Sequence, residues 1–146
     1  ETFVTAGAVN LWSCTATFDG CVMRDIDNKV SIGGAMILQE AGASITNCVM
    51  MRCGAIVGGA VCVTKLSSCS MHGCTISEVF SYSHAGGVAC LDHSSLTLTD
   101  TAISNSVGSC LFVDHSEAHV YRCTLVHCSA PAAGGDAEVS IGDAGR

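Results

Sequence analysis

Apolar and polar positions alternate with a period of two along most of this chain. The pairs Ala16/Phe18, Ala43/Ile45, Cys69/Met71, Leu96/Leu98 and Ala118/Val120 fall on one face. Their neighbours Thr15/Thr17, Ser44/Thr46, Ser70/His72, Thr97/Thr99 and His119/Tyr121 fall on the other. Such alternation marks strands with one buried face, so the first set is predicted to point inward and the second to water. A shorter strand follows each of these and buries Cys21/Met23, Cys48/Met50, Cys74/Ile76, Thr101/Ile103 and Cys123/Leu125. Three- and four-residue apolar spacing is missing, and the abundance of Val, Ile, Thr, Ser and Gly also argues against helices.

The strands recur in units of 22 to 28 residues. Gly33-Gly34-Ala35-Met36, Gly58-Gly59-Ala60-Val61, Gly86-Gly87-Val88-Ala89 and Gly108-Ser109-Cys110-Leu111 open successive units, with a degenerate first copy near Ala6-Gly7-Ala8-Val9. Behind each start comes Cys21, Cys48, Cys74, Thr101 or Cys123, and five residues later Ile26, Cys53, Val79, Ser106 or Cys128. Short strands repeating at this period can stack in parallel as a solenoid, with like residues one strand spacing apart, about 4.8 Å. The Cys/Thr column then reads as small residues filling a tight bend. The predicted fold is all-β, a right-handed parallel β-helix of about five coils in one domain, 1–146. The repeat occupies about 6–130, and 131–146 is a partial last coil and tail.

The Gly-Gly-Ala starts and the bends Ile45-Thr46-Asn47-Cys48 and Met71-His72-Gly73-Cys74 resemble repeats of the pectate-lyase-like superfamily. They look particularly like those of polymorphic outer-membrane proteins and of protist β-helix proteins. The resemblance implies the fold. It leaves function open, since the superfamily includes lyases, hydrolases, adhesins and scaffolds. A β-helix lyase implies carboxylates holding Ca²⁺ beside a basic groove. Here Arg24, Lys29, Arg52, Lys65, Arg122 and Arg146 do not converge, and no lyase motif carries over.

The strand after each Gly-Gly is apolar on both faces. One row reads Val9/Leu11, Met36/Leu38, Val61/Val63, Ala89/Leu91 and Leu111/Val113; the other reads Ala8/Asn10, Ala35/Ile37, Ala60/Cys62, Val88/Cys90 and Cys110/Phe112. Asn10 at one end of the second row and Asp136/Glu138 in the partial last coil place that row outside. Ala35, Ile37, Ala60, Cys62, Val88, Cys90 and Phe112 are thus expected to form an outward apolar stripe that approaches the size of a contact patch and signals a protein partner in a larger assembly, the alternative being that a flanking segment such as 1–6 or 131–146 folds back over it.

Composition narrows the remaining choices. The chain is 49% apolar and 13% charged, and its net charge of −7 disfavours nucleic acid and anionic membrane surfaces. No apolar run reaches the roughly 20 residues of a transmembrane helix. A start at Glu1 without Met reads as a processed form or fragment. Eleven Cys cannot all pair internally, and their spacing follows the repeat, so mostly free, buried thiols are expected rather than a disulfide framework. Asp92-His93 and Asp114-His115, 22 residues apart, would stack on consecutive coils as a metal or acid/base site, although Asp-His-Ser also makes an ordinary turn. Asp25, Arg52, Glu78, Asn105 and His127 read as a surface charge ladder. Without a phosphate loop, a Cys-x-x-Cys pair or a nucleophile elbow, the chain reads as a non-catalytic structural and interaction module with no cofactor. A carbohydrate-binding or polysaccharide-degrading β-helix is the alternative. Ice binding through the Thr ranks is a further one.

Overall fold

In the computed structural model the chain winds three parallel sheets about one axis; residues 7–128, 132–134 and 138–142 are described. The first coil is β1 (Val9–Trp12), β2 (Thr15–Asp19) and β3 (Val22–Asn28). The second is β4 (Met36–Gln39), β5 (Gly42–Thr46) and β6 (Val49–Val57). Next come β7 (Val61–Thr64), β8 (Ser68–His72), β9 (Thr75–Ser77) and β10 (Phe80–Ala85), then β11 (Val88–Leu91), β12 (Ser95–Thr99) and β13 (Ala102–Ser104). β14 (Leu111–Asp114), β15 (Glu117–Tyr121) and β16 (Thr124–Val126) follow, and β17 (Ala132–Gly134) and β18 (Glu138–Gly142) begin one more turn.

Sheet A is β1-β4-β7-β11-β14-β17 and sheet B is β2-β5-β8-β12-β15-β18; sheet C joins β10, β6, β9, β13 and β16, with β3 also on β6. In sheet B the register runs Thr15, Gly42, Ser68, Ser95, Glu117, so the first three repeats take 26 or 27 residues and the fourth 22. The inward rows of sheets B and C are those the alternation predicts: Ile45, Met71, Leu98, Met50, Ile76 and Ile103 are all 0–1% exposed.

Each coil turns at corners where one or two residues hold positive φ. Gly20, Asn47, Gly73, Asp100 and Arg122 do so between sheets B and C; Asp25, Arg52, Glu78, Asn105 and His127 do so within sheet C. For a non-glycine residue this conformation costs about 1–2 kcal/mol, and polar ladders hold it. After the B–C corner, Cys48 Sγ donates to Thr46 O (3.3 Å), Cys74 Sγ to His72 O (3.6 Å), Thr101 Oγ1 to Thr99 O (3.0 Å) and Cys123 Sγ to Tyr121 O (3.2 Å). The same atoms accept backbone N–H groups from the preceding coil: Cys21 N–H reaches Cys48 Sγ at 3.4 Å and Cys74 N–H reaches Thr101 Oγ1 at 3.3 Å. Cys and Thr interchange here because each is small and both gives and takes a hydrogen bond. A second ladder lines the A–B corner, where Ala41, Ser67 and Ser94 N–H donate to the hydroxyls of buried Ser67, Ser94 and Ser116 at 3.0–3.1 Å.

Sheet A corrects the expected stripe. Ala35 and Ala60 sit at the corner inside the main core, not on the outer row. Val88 and Cys90 also point inward, because Val88 pairs with Val61 and Leu111: no Ala stands between Gly86-Gly87 and the strand, which shifts the parity by one. The outward row is Ile37, Cys62, Ala89 and Phe112, and its first three members are 0% exposed. Ile32, Val57, Leu91 and half-buried Phe112 pack on it as a second, smaller core. The cover is the preceding corner folding back. At Gly58 (φ +65°) an added Cβ would stand 3.0 Å from Cys62 Cβ and 2.5 Å from Val61 O, so both the positive φ and the close approach require glycine. The last turn is corrected too: sheet A ends in β17, with Ala132 opposite Phe112, and Glu138 lies in sheet B opposite Glu117. Asp136 lies outside the described residues.

Candidate functional site

The A–B corner carries the Asp-His segments. Leu91, not Asp92, is the partner of Asp114, because three residues separate β11 from β12 and only two separate β14 from β15. That extra residue puts the carboxylates out of step. Asp92 Oδ2 accepts the Thr64 hydroxyl at 2.7 Å on the preceding coil, and Asp114 Oδ1 meets Nδ1 of its neighbour His115 at 2.9 Å. The expected stacked Asp92/Asp114 site therefore does not form. Among the described residues no group of three or more His, Cys, Asp or Glu is placed to hold a metal ion. The imidazoles of His93 and His115 do approach, with ring centroids 6.2 Å apart. Together with Leu66, Ser68, Ser95 and Glu117 they line an open groove of about 510 Å³. Ser94 and Ser116 form its floor as members of the buried ladder.

The groove opens onto the outer face of sheet B, a broad face rich in small hydroxyl side chains. In register across it lie Thr17, Ser44, Ser70, Thr97 and His119, flanked by Asp19, Thr46, His72, Thr99 and Tyr121. Thr17, Ser44, Ser70 and His72 are exposed, and Thr97, Thr99, His119 and Tyr121 are partly so. At its C-terminal side the rings of His119 and Tyr121 lie parallel within 4°, centroids 6.3 Å apart. Their alternation along β15 places both on the solvent side.

The charged column forms in part. Arg52 reaches back one coil and forks onto Asp25, with Nη2 3.2 Å from Oδ2, and this hydrogen bond holds the Asp25 carboxyl below its usual range. A second fork, Arg122 on Asp100 at 2.8 and 3.0 Å, lowers Asp100 in the same way, with His72 3.7 Å away. Tyr82 donates to Asp27 at 3.0 Å, spanning the intervening coil over Gly54 and Ala55.

Thiol chemistry is muted. Burial pushes Cys69 up to about 12 and Cys90 up to about 11, and raises Cys62 further still, so these thiols stay protonated near neutrality. The expectation of mostly free thiols fits nine of the eleven, of which Cys14 alone is exposed. Cys110 and Cys128 are the exception and form a disulfide. Sequence reasoning missed this pair, the Tyr82–Asp27 span and the serine ladder. The ladder alone had a signal: Ser67, Ser94 and Ser116 recur at the repeat spacing.

No helix among the described residues is long and apolar enough to cross a membrane. A family model described as a right handed beta helix region matches residues 3–142. No curated protein and no solved structure matches the chain.

Proposed function

This chain belongs to the right-handed beta helix family, and we propose that it works as a non-catalytic interaction module whose contact surface is the outer face of sheet B. One observation carries the reading: an in-register array of Ser and Thr side chains with an open groove along its edge, on a wall whose own ladders satisfy the backbone. Short hydroxyl side chains lose little rotamer freedom on contact, and a rigid wall arrives preorganised. Repeat solenoids present such extended faces because each coil leans only on its neighbours. A protein partner is the first reading. The covered row of sheet A is not the surface for it.

A crosslinking experiment tests this. A photoreactive residue placed at Ser44, on the face, should give discrete protein adducts in cells of the source organism, and Ser70→Arg/Thr97→Arg should reduce them at least tenfold. The same residue at Ile56, outside the sheet B face, should give none. Equal adducts from both positions would sink the proposal. The parallel His119 and Tyr121 rings favour a second reading, a neutral glycan lying on β15, since sugar faces stack on aromatic rings. Binding on a glycan array that is lost in His119→Ala/Tyr121→Ala would move the assignment there.

A further inference from the structure

The fifth coil differs from the others at one point inside its wall. Residues one before the first strand position of sheet A are Ala35, Ala60, Gly87 and Cys110, given the pairing of Met36, Val61, Val88 and Leu111. The facing column in sheet C is Cys53, Val79, Ser106 and Cys128. In the fourth coil these two columns nearly touch: a Cβ built on Gly87 would lie 2.8 Å from Val79 Cγ2 and 3.1 Å from Ser106 Oγ. In the fifth coil the same contact is covalent, Cys110 to Cys128, with Cα atoms 5.4 Å apart across 18 residues.

The bond lies at the end of sheet C. β16 pairs with β13 alone among the described strands. Its inward residue Leu125 is only partly buried, whereas the equivalent Ile103 and Ile76 are 0% exposed. Cys128 is partly buried beside exposed His127, whereas Cys110 is 1% exposed, so Cys128 is the sulfur of the pair nearer solvent. We propose that Cys110–Cys128 is a redox latch: oxidised, it holds β16 in sheet C, and reduction by a dithiol releases that strand from the stack. A dithiol thiolate attacks Cys128 Sγ, the Sγ–Sγ bond breaks, and Cys110 leaves as a thiolate that takes a proton. The second dithiol sulfur then closes its own disulfide, and Cys128 leaves as a thiol. The deeply buried thiols Cys62, Cys69 and Cys90, held protonated, stay out of the exchange.

Hydrogen-exchange mass spectrometry on the full chain, with and without dithiothreitol, tests the latch. For a loop of this length, reduction should speed exchange in peptides covering residues 121–128 by roughly 100-fold. Peptides from β12 and β13 should change little. Cys110→Ser/Cys128→Ser should exchange fast in both conditions, and wild type with and without reductant decides the matter if that variant does not fold. Unchanged protection of β16 on reduction would overturn the proposal. So would loss of protection throughout the chain, or alkylation of all eleven cysteines in air-oxidised, unfolded protein.

Discussion

Replacing Thr101 by Val is nearly isosteric, so it isolates what the B–C ladder contributes. Thr101 is 2% exposed; its hydroxyl donates to Thr99 O at 3.0 Å and accepts Cys74 N–H at 3.3 Å. In the valine variant the Thr99 carbonyl keeps its bond from Gly73 N–H at 3.0 Å, but the Cys74 amide loses its acceptor. Leaving one buried donor unpaired costs about 1–3 kcal/mol, since only one of the two partners has been made apolar. At about 2–4 °C per kcal/mol for a chain of this size, the midpoint should fall by about 2–12 °C. Thr101→Cys should cost under about 1 kcal/mol, because a thiol plays both parts at neighbouring rungs. Thermal melts of the three proteins measure the difference. Hydrogen exchange locates it: protection at Cys74, one coil earlier, should drop in the valine variant and persist in the cysteine one. A valine variant as stable as the cysteine variant, with Cys74 still protected, would refute the ladder as a source of stability.

Two further outcomes are expected. In a native-state pulse of iodoacetamide Cys14 should react first and half-buried Cys21 and Cys123 more slowly, while Cys62 and Cys90 stay unlabelled until the chain unfolds; Cys62 reacting as fast as Cys14 would mean that the outer row of sheet A is open after all. Stability should also fall with rising alkalinity. The folded chain keeps the Cys69 and Cys90 protons up to about 12 and about 11, whereas the unfolded chain releases them near the ordinary thiol value of 9.0, so stability present below about pH 9 is lost above it. The loss is on the order of 1.4 kcal/mol per pH unit for each thiol, read as the urea midpoint at pH 8, 9 and 10. A flat profile, or one that Cys69→Ala leaves equally steep, would show that these thiols titrate freely in the fold.

The inward row of sheet C was legible from the repeat even where its outer positions are Val22, Arg24, Val49 and Met51, and that of sheet B because its strands set apolar residues mostly against polar ones, a contrast that fixes parity. Sheet A offered no such contrast. With apolar residues on both sides, one missing residue after Gly87 moved Val88 and Cys90 from the outer row to the inner. Ile37, Cys62 and Phe112 share a row apart from the main core, but that row is covered, and its cover could not be read, because it comes from corner backbone at Gly33 and Gly58 and from Ile32 and Val57 rather than from any strand. The Asp92/Asp114 pairing failed for a similar reason: a 22-residue separation matched the repeat, but the A–B corner holds three residues after β11 and only two after β14. Corner residues resisted interpretation because their backbone conformation is the same whether the side chain is Asp25, Arg52, Glu78, Asn105 or His127.

The in-register stacking also has a mechanical side. Each of the longer repeats holds 26 or 27 residues but lengthens the rod by only one strand spacing, about 4.8 Å. Drawn out straight, that much chain spans roughly 90 Å. Under tension applied at its ends, the module is a short stiff spacer until a coil gives way. It then pays out slack nearly twentyfold, one turn at a time.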